Sequence, residues 1–240
     1  MRKWFEIGGL VTAAVLIGFG VVAIVMGVSG RSTVTDSLRQ EQIIGTPDMT
    51  PAAIAAEVTA DRSAQTKLVA RMKAQGVVVT PSAITTPSCS VAGKTVDSGA
   101  SARCFAEYMR VHTFASSSGL VYSQMGRFQA LPSAPLAQTD GAGGTSNDKF
   151  AAIDPLTKQP LENGRRNTWV TYTALTTALN SSFMASQLAL FGIVVGFALL
   201  LSGVGFAVLA IGGALRNPDT AIRALRPRAA SAPATPLTTV

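Results

Sequence analysis

Two long apolar runs without a single charge dominate the pattern of hydrophobic and polar positions along this chain. Residues 7–28 form the first. At about 1.5 Å of rise per residue, a helix of that length measures about 33 Å, enough for a hydrocarbon core of about 30 Å. Residues 188–215 form the second. It is longer than a perpendicular span needs, so it is expected to tilt or to project beyond the core. A cleaved signal peptide would carry an apolar core of about 7–15 residues ending in a small-x-small site. The first run is longer and ends in Met26, Gly27 and Val28, so it reads as an uncleaved anchor.

Helical periodicity continues past each run. Val34, Leu38 and Ile43/Ile44 recur near helical spacing until Gly45, Thr46 and Pro47 interrupt them. Ahead of the second run, Val170, Ala174/Leu175, Ala178/Leu179 and Phe183 make an apolar stripe among threonines, serines and asparagines. These segments, 31–44 and 168–186, are expected to pack as an antiparallel stalk. Between them, Thr50 followed by Pro51 predicts a helix start, because Pro at the first helical position loses no hydrogen bond. That helix is expected over 51–75, stopping at Gly76. A short extended segment at 77–79 follows, and Ser101 is read as the cap of a helix over 102–116. Pro, Gly, Ala, Ser, Asp and Asn dominate 132–160, which reads as a mobile loop. The proline- and alanine-rich tail reads as disordered.

The whole pattern predicts a mainly α chain. It is a two-span transmembrane helical hairpin whose helices extend into a juxtamembrane stalk, with a small helical, loop-rich, disulfide-closed extracytoplasmic domain. The divisions are a cytoplasmic N-terminus 1–6, a span 7–28, an extracytoplasmic domain 29–187, a span 188–213 and a cytoplasmic tail 214–240. Orientation follows from the excess of basic residues on the cytoplasmic side. Arg2 and Lys3 precede the first run, and Arg216, Arg223, Arg226 and Arg228 follow the second. Both ends are thus assigned to the cytoplasm, and the membrane to the plasma membrane. Small residues spaced by four (Gly192 and Gly196 most clearly, Ala14 with Gly18 and Ala23 with Gly27 more loosely) mark faces where helix backbones can approach in lipid.

Composition narrows the chemistry. Only 14% of residues are charged, against about 25% in an ordinary soluble domain, and the deficit lies in the two runs. The net charge of +7 looks like a nucleic-acid signal until it is divided. Between the ends there are fourteen bases and eleven acids, with no basic run and no interleaved aromatics, which argues against nucleic acid. Cys89 and Cys104 are the only cysteines. Both fall on the outer side, where an even count favours a disulfide. Two cysteines and one histidine make no convincing zinc set. The single histidine, His112, falls on the predicted helix near Glu107 and Tyr108 and reads as a surface or packing residue. No G-x-S-x-G elbow, P-loop, G-x-G-x-x-G or HExxH is present. Neither run holds an ionisable residue, which argues against a pump or secondary transporter. The sequence therefore singles out no catalytic residue, no metal ligand and no cofactor.

The stretches GRSTVTDSLRQEQIIGTPDMTP (30–51), CSVAGK (89–94), ARCFAEYMRVH (102–112) and RNTWVTYTAL (166–175) resemble a family of actinobacterial two-span membrane proteins with an extracytoplasmic domain. The likeness covers most of the chain except 60–85 and the tail. It implies the same topology and brings no mechanism. Some members carry an aromatic ring-opening dioxygenase label, which a chain with one histidine does not support. The leading expectation is a non-catalytic envelope protein, an accessory or scaffolding subunit whose partners are the lipid bilayer and either another membrane protein or further copies of itself. A membrane sensor and an oligomeric pore subunit are the alternatives.

Overall fold

The computed structural model describes residues 2–80 and 82–212. The tail assigned to 214–240, with Arg216, Arg223, Arg226 and Arg228, lies outside the described residues, as do the side chains of Arg2 and Lys3. The chain is mainly helical, in the order α1 (Arg2–Gln40), α2 (Pro51–Ala74), α3 (Gly99–Ser116) and α4 (Gly164–Ile211), with two-residue strands β1 (Phe128–Gln129) and β2 (Gly144–Thr145) between α3 and α4. Contacts divide it into two units, residues up to Val28 with those from Ala189, and Ser29–Leu188. Helices α1 and α4 each contribute to both.

In the first unit, α1 and α4 are each long and apolar enough to cross a membrane. Their pairing is antiparallel, with the Gly27 region of α1 beside Ala189 and Ile193, and the Ala13 region beside Gly203. Only 17% of the most apolar window of each helix is buried. Phe19, Val22, Met26, Phe191, Leu201 and Val208 all point outward.

The second unit has a core of a different kind. Helix α2 begins at the predicted place. The Thr50 hydroxyl accepts from the backbone N–H of Ala53 at 3.2 Å, and Pro51 occupies the first turn. It ends in a Schellman turn in which Val77 N–H reaches the Met72 carbonyl and Gly76 N–H that of Lys73, both at 3.0 Å. Gly76 takes φ +75°, a conformation open chiefly to glycine. Helix α3 starts earlier than Ser101. Ser98 is its cap, and Ser101 completes a capping box by accepting from Ser98 N–H at 3.0 Å. The sequence offers two serines three apart, and the first takes the cap because the second is then free to close the box.

Ile54, Val58, Leu68 and Met72 of α2 meet Ala102, Phe105, Tyr108, Val111 and Phe114 of α3 in one buried cluster. Trp169 of α4 stands edge-on to Phe114 at 5.4 Å and to Tyr172 at 5.5 Å. The segments expected as a separate stalk are therefore walls of this core. Leu38 is buried in it, α1 stops at Gln40 rather than at residue 44, and residues 43–45 leave the helix to bridge to 92–95. On α4 the expected stripe holds at Leu179, which is buried, and at Leu175, which packs against the core, but Trp169, Tyr172 and Thr176 share that face and Val170, Ala174 and Ala178 are exposed. Aromatic bodies decided the register, since Trp and Tyr bury far more area than Ala.

The stretch 132–160 is more organised than a loop. It holds two 3-10 turns, strand β2 paired with β1 just ahead of the stretch, and bridges from Ala151 back to Ala130 and from Ile153 to Pro160. Asp140 is its hub, with the backbone N–H groups of Gly126, Ala142 and Gly144 donating to its carboxylate at 2.8–2.9 Å. Cys89 and Cys104 are joined as a disulfide, with no free cysteine among the described residues.

Candidate functional site

Two arrangements stand out, one in each unit. In the first unit the close approach recurs every seven residues, with Gly27, Gly20 and Ala13 on α1 facing Ala189, Gly196 and Gly203 on α4. Seven residues return a helix to nearly the same face after two turns, so this spacing makes a continuous seam. A Cβ placed on Gly20 would stand 2.7 Å from the Gly196 carbonyl oxygen. One placed on Gly196 would stand 2.8 Å from that of Gly20. Both are closer than carbon and oxygen tolerate, so only glycine lets these backbones meet. Gly27 is held in the same way by the Ala189 carbonyl, at 2.6 Å, and Gly203 by that of Ala13, at 3.0 Å.

The sequence-selected small residues divide on this seam. Gly27 and Gly196 lie in it, and Ala23 and Gly192 lie at its margin, with the Ala23 carbonyl 3.7 Å from a Cβ on Gly192. Ala14 and Gly18 do not belong to it. Both are exposed, and nothing lies within 4 Å of a Cβ on Gly18. A four-residue spacing looks for a crossing at one point. The observed pair keeps contact over several turns, and the seven-residue repeat of Ala13, Gly20 and Gly27 was the signal for it. Gly20 and Gly203 are the positions that the sequence reading passed over.

The second arrangement is built around the single histidine. His112 lies on α3 with Glu107 and Tyr108, as its position predicts, and is half-buried. Helix α3 turns Tyr108 inward, where its hydroxyl donates to the Cys89 carbonyl at 2.6 Å, and Glu107 pairs with Arg103. His112 instead faces two carboxylates from elsewhere in the chain. Its Nδ1 lies 3.1 Å from Glu57 Oε1 on α2, and its Nε2 lies 3.1 Å from Asp48 Oδ2 in the turn that precedes α2. One ligand atom from each of the three residues falls within 4.8 Å of the others, and all three are half-buried. Asp61, one turn beyond Glu57 on α2, adds a third carboxylate to the neighbourhood, and its Oδ2 is buried without a hydrogen-bond partner.

The electrostatics of the group are uneven. Burial pushes the Asp61 carboxyl above its ordinary range, the charge of Glu57 pushes it further, and His112 opposes both. Asp48 goes the other way. A hydrogen bond from Thr46 holds it below the ordinary range, helped by its own backbone N–H and by His112 against the opposing effect of burial. Among the described residues the ion pairs of Asp48 and Glu57 are with His112 alone, and no lysine or arginine reaches any of the three acids. No local pattern marks this meeting, because Asp48, Glu57 and His112 are joined only by the docking of α3 on α2.

A cleft of about 750 Å³ runs between the end of α2 and the 123–147 segment, past Met72, Val78, Met125, Gln138 and Asn147. Its only acid, Asp140, is already committed to three backbone N–H groups, so the cleft presents no free charged group. Compared with known proteins, the chain matches no family, no curated protein and no solved structure.

Proposed function

We propose that this chain is a non-catalytic membrane protein of the cell envelope, an accessory or scaffolding subunit in which α1 and α4 cross the plasma membrane as a hairpin. Both termini are then cytoplasmic and residues 29–187 are extracytoplasmic. The observation that carries this reading is the glycine seam between the charge-free stretches of two helices. Its outer surfaces are lined with Phe, Val, Leu and Met, a distribution that suits lipid and would be costly in water. A core helix of a soluble protein would be buried on most sides, and these are not. A signal sequence would have no partner helix, whereas α1 presses Gly20 and Gly27 against α4. The disulfide supports an oxidising compartment for the second unit. The outer domain and the lipid-facing surfaces are where a membrane-protein partner or another copy would bind.

The two cysteines make the topology testable. A membrane-impermeant maleimide should label Cys89 and Cys104 in intact cells only after reduction. Protection after reduction would place the domain on the cytoplasmic side and overturn the reading. Purification of the tagged chain from mild detergent tests the role, with a stoichiometric partner or a homo-oligomer expected. A strictly monomeric, partner-free chain would remove the scaffolding assignment.

A further inference from the structure

We propose that Asp48, Glu57 and His112 form a binding site for one divalent transition cation, zinc first among them. The donor set is one imidazole nitrogen and two carboxylate oxygens, supplied by three separate elements: the turn before α2, α2 itself and α3. Mixed imidazole and carboxylate ligation is the chemistry of zinc and its neighbours in the transition series. Calcium and magnesium prefer oxygen alone. The three donor atoms lie within 4.8 Å of one another, so closing on a shared ion at about 2.0–2.2 Å requires side-chain adjustment on the order of 1 Å, with no movement of the helices.

Charge points the same way. Three carboxylates crowd one imidazole, no lysine or arginine among the described residues pairs with them, and Asp61 Oδ2 is buried with no partner. That leaves a local excess of negative charge in a half-buried place, which one divalent ion would neutralise. Nδ1 of His112 is hydrogen-bonded to Glu57 Oε1 and its Nε2 stands 3.1 Å from Asp48 Oδ2, which is the cation-free arrangement of the same atoms. The ion would take the lone pair of one ring nitrogen, which carries no proton in the bound state. The ion would tie the turn at Asp48 to α2 and α3, one helical turn from Tyr108, whose hydroxyl engages the carbonyl of the disulfide-bonded Cys89. This inference concerns the second unit alone and stands or falls independently of the membrane topology.

The test uses the untagged full chain in detergent, stripped with EDTA and titrated with zinc, and separately with calcium, by calorimetry. Binding of one zinc equivalent with a dissociation constant of about 10 µM or tighter is expected, with calcium not taken up at about 100 µM. Glu57→Gln and His112→Gln should each weaken zinc binding on the order of a hundredfold. Because His112 is the only histidine, ¹⁵N-histidine NMR reads the site directly. Zinc should shift one ring nitrogen and not the other, in a protein whose remaining spectrum is unchanged, and that signature separates ligation from a folding defect. No heat and no ring-nitrogen shift with zinc would overturn the proposal. So would zinc binding of undiminished affinity in both variants.

Discussion

The two units solve the problem of cohesion in opposite ways. In the helix pair, side chains are taken away so that backbones can meet, at Gly20 against Gly196 and at Gly27 against Ala189. In the second unit, large side chains are brought together, with Tyr108, Phe114, Ile54 and Met72 all fully buried. Water explains the second strategy, since removing apolar area from it stabilises by about 25 cal/mol per Å². It does not act between helices that already face a hydrocarbon medium, where dispersion and close approach are what remain. The proposed membrane setting thus predicts a reversal. Loss of volume should damage the second unit, and gain of volume should damage the helix pair.

The largest effect belongs to Phe114. It is fully buried, it meets Trp169 edge-on, and Arg110 lies 5.0 Å over its ring. Phe114→Ala should cost about 3–5 kcal/mol. Thermal unfolding of the full chain in mild detergent should show the domain transition shifted down while the helix-pair signal stays in place. A Cys89→Ser/Cys104→Ser variant comes next. The bond spans 15 positions, and a closed loop of about that size contributes about 3 kcal/mol in the chain-entropy model. The same denaturation experiment checks it, and addition of reductant to the parent chain should reproduce the shift.

How much of this was readable in the sequence follows the range of the interactions. Thr50 with Pro51, and Gly76, marked the ends of α2 because capping is a matter between near neighbours. The cysteines declared their pairing because there were only two. The uncharged runs were plain, since a long apolar helix is written in composition alone. The register of α4 was plain only in part. Of the stripe Val170, Ala174/Leu175, Ala178/Leu179 and Phe183, Leu179 and Leu175 do meet the core, but packing adds Trp169 and Tyr172 and leaves Val170, Ala174 and Ala178 outside. Asp48, Glu57 and His112 were invisible for a stronger reason. They are separated by 64 positions from first to last, and only the tertiary packing of α2 and α3 makes them neighbours.

The reversal itself is tested next. Gly20→Leu should force α1 and α4 apart, because the added carbons meet the Gly196 carbonyl and the Leu200 backbone nitrogen, which cannot turn aside as a side chain would. Overpacking of this kind costs about 1–3 kcal/mol, to be read as an earlier midpoint when SDS is titrated into mild detergent micelles. The domain transition should hardly move. Equal damage to both transitions would show that the comparison between the units is wrong.

A smaller and conditional effect is expected at Asp61. Its folded-state carboxyl is raised by burial and by Glu57, so the protonated form is the one the fold favours. The sign follows from linkage. The contribution is fully present below about pH 3.9, the value for an unfolded Asp, and is lost as pH rises through the raised folded value. In EDTA, Asp61→Asn should therefore match the parent chain in acid and exceed it at neutral pH. Asp48, which is lowered, contributes oppositely, losing its part as the medium becomes acidic. A variant that is less stable than the parent at neutral pH would overturn the assignment of Asp61 as a strained anion.

The smallest effect separates pairing within one chain from pairing between chains. Gly18 is two residues from Gly20, on the same helix and in the same apolar surroundings, yet a Cβ there meets nothing within 4 Å. Gly18→Leu should leave the SDS midpoint within about 0.5 kcal/mol of the parent, and a helix-interior glycine replaced by leucine gains helix propensity. The comparison with Gly20→Leu removes the common factors of composition and position, leaving only which face carries the change. If Gly18→Leu also leaves the oligomeric state in detergent unchanged, the small residues of α1 serve the contact with α4. If it abolishes an oligomer while the SDS midpoint stays put, the face of Ala14 and Gly18 joins one chain to another.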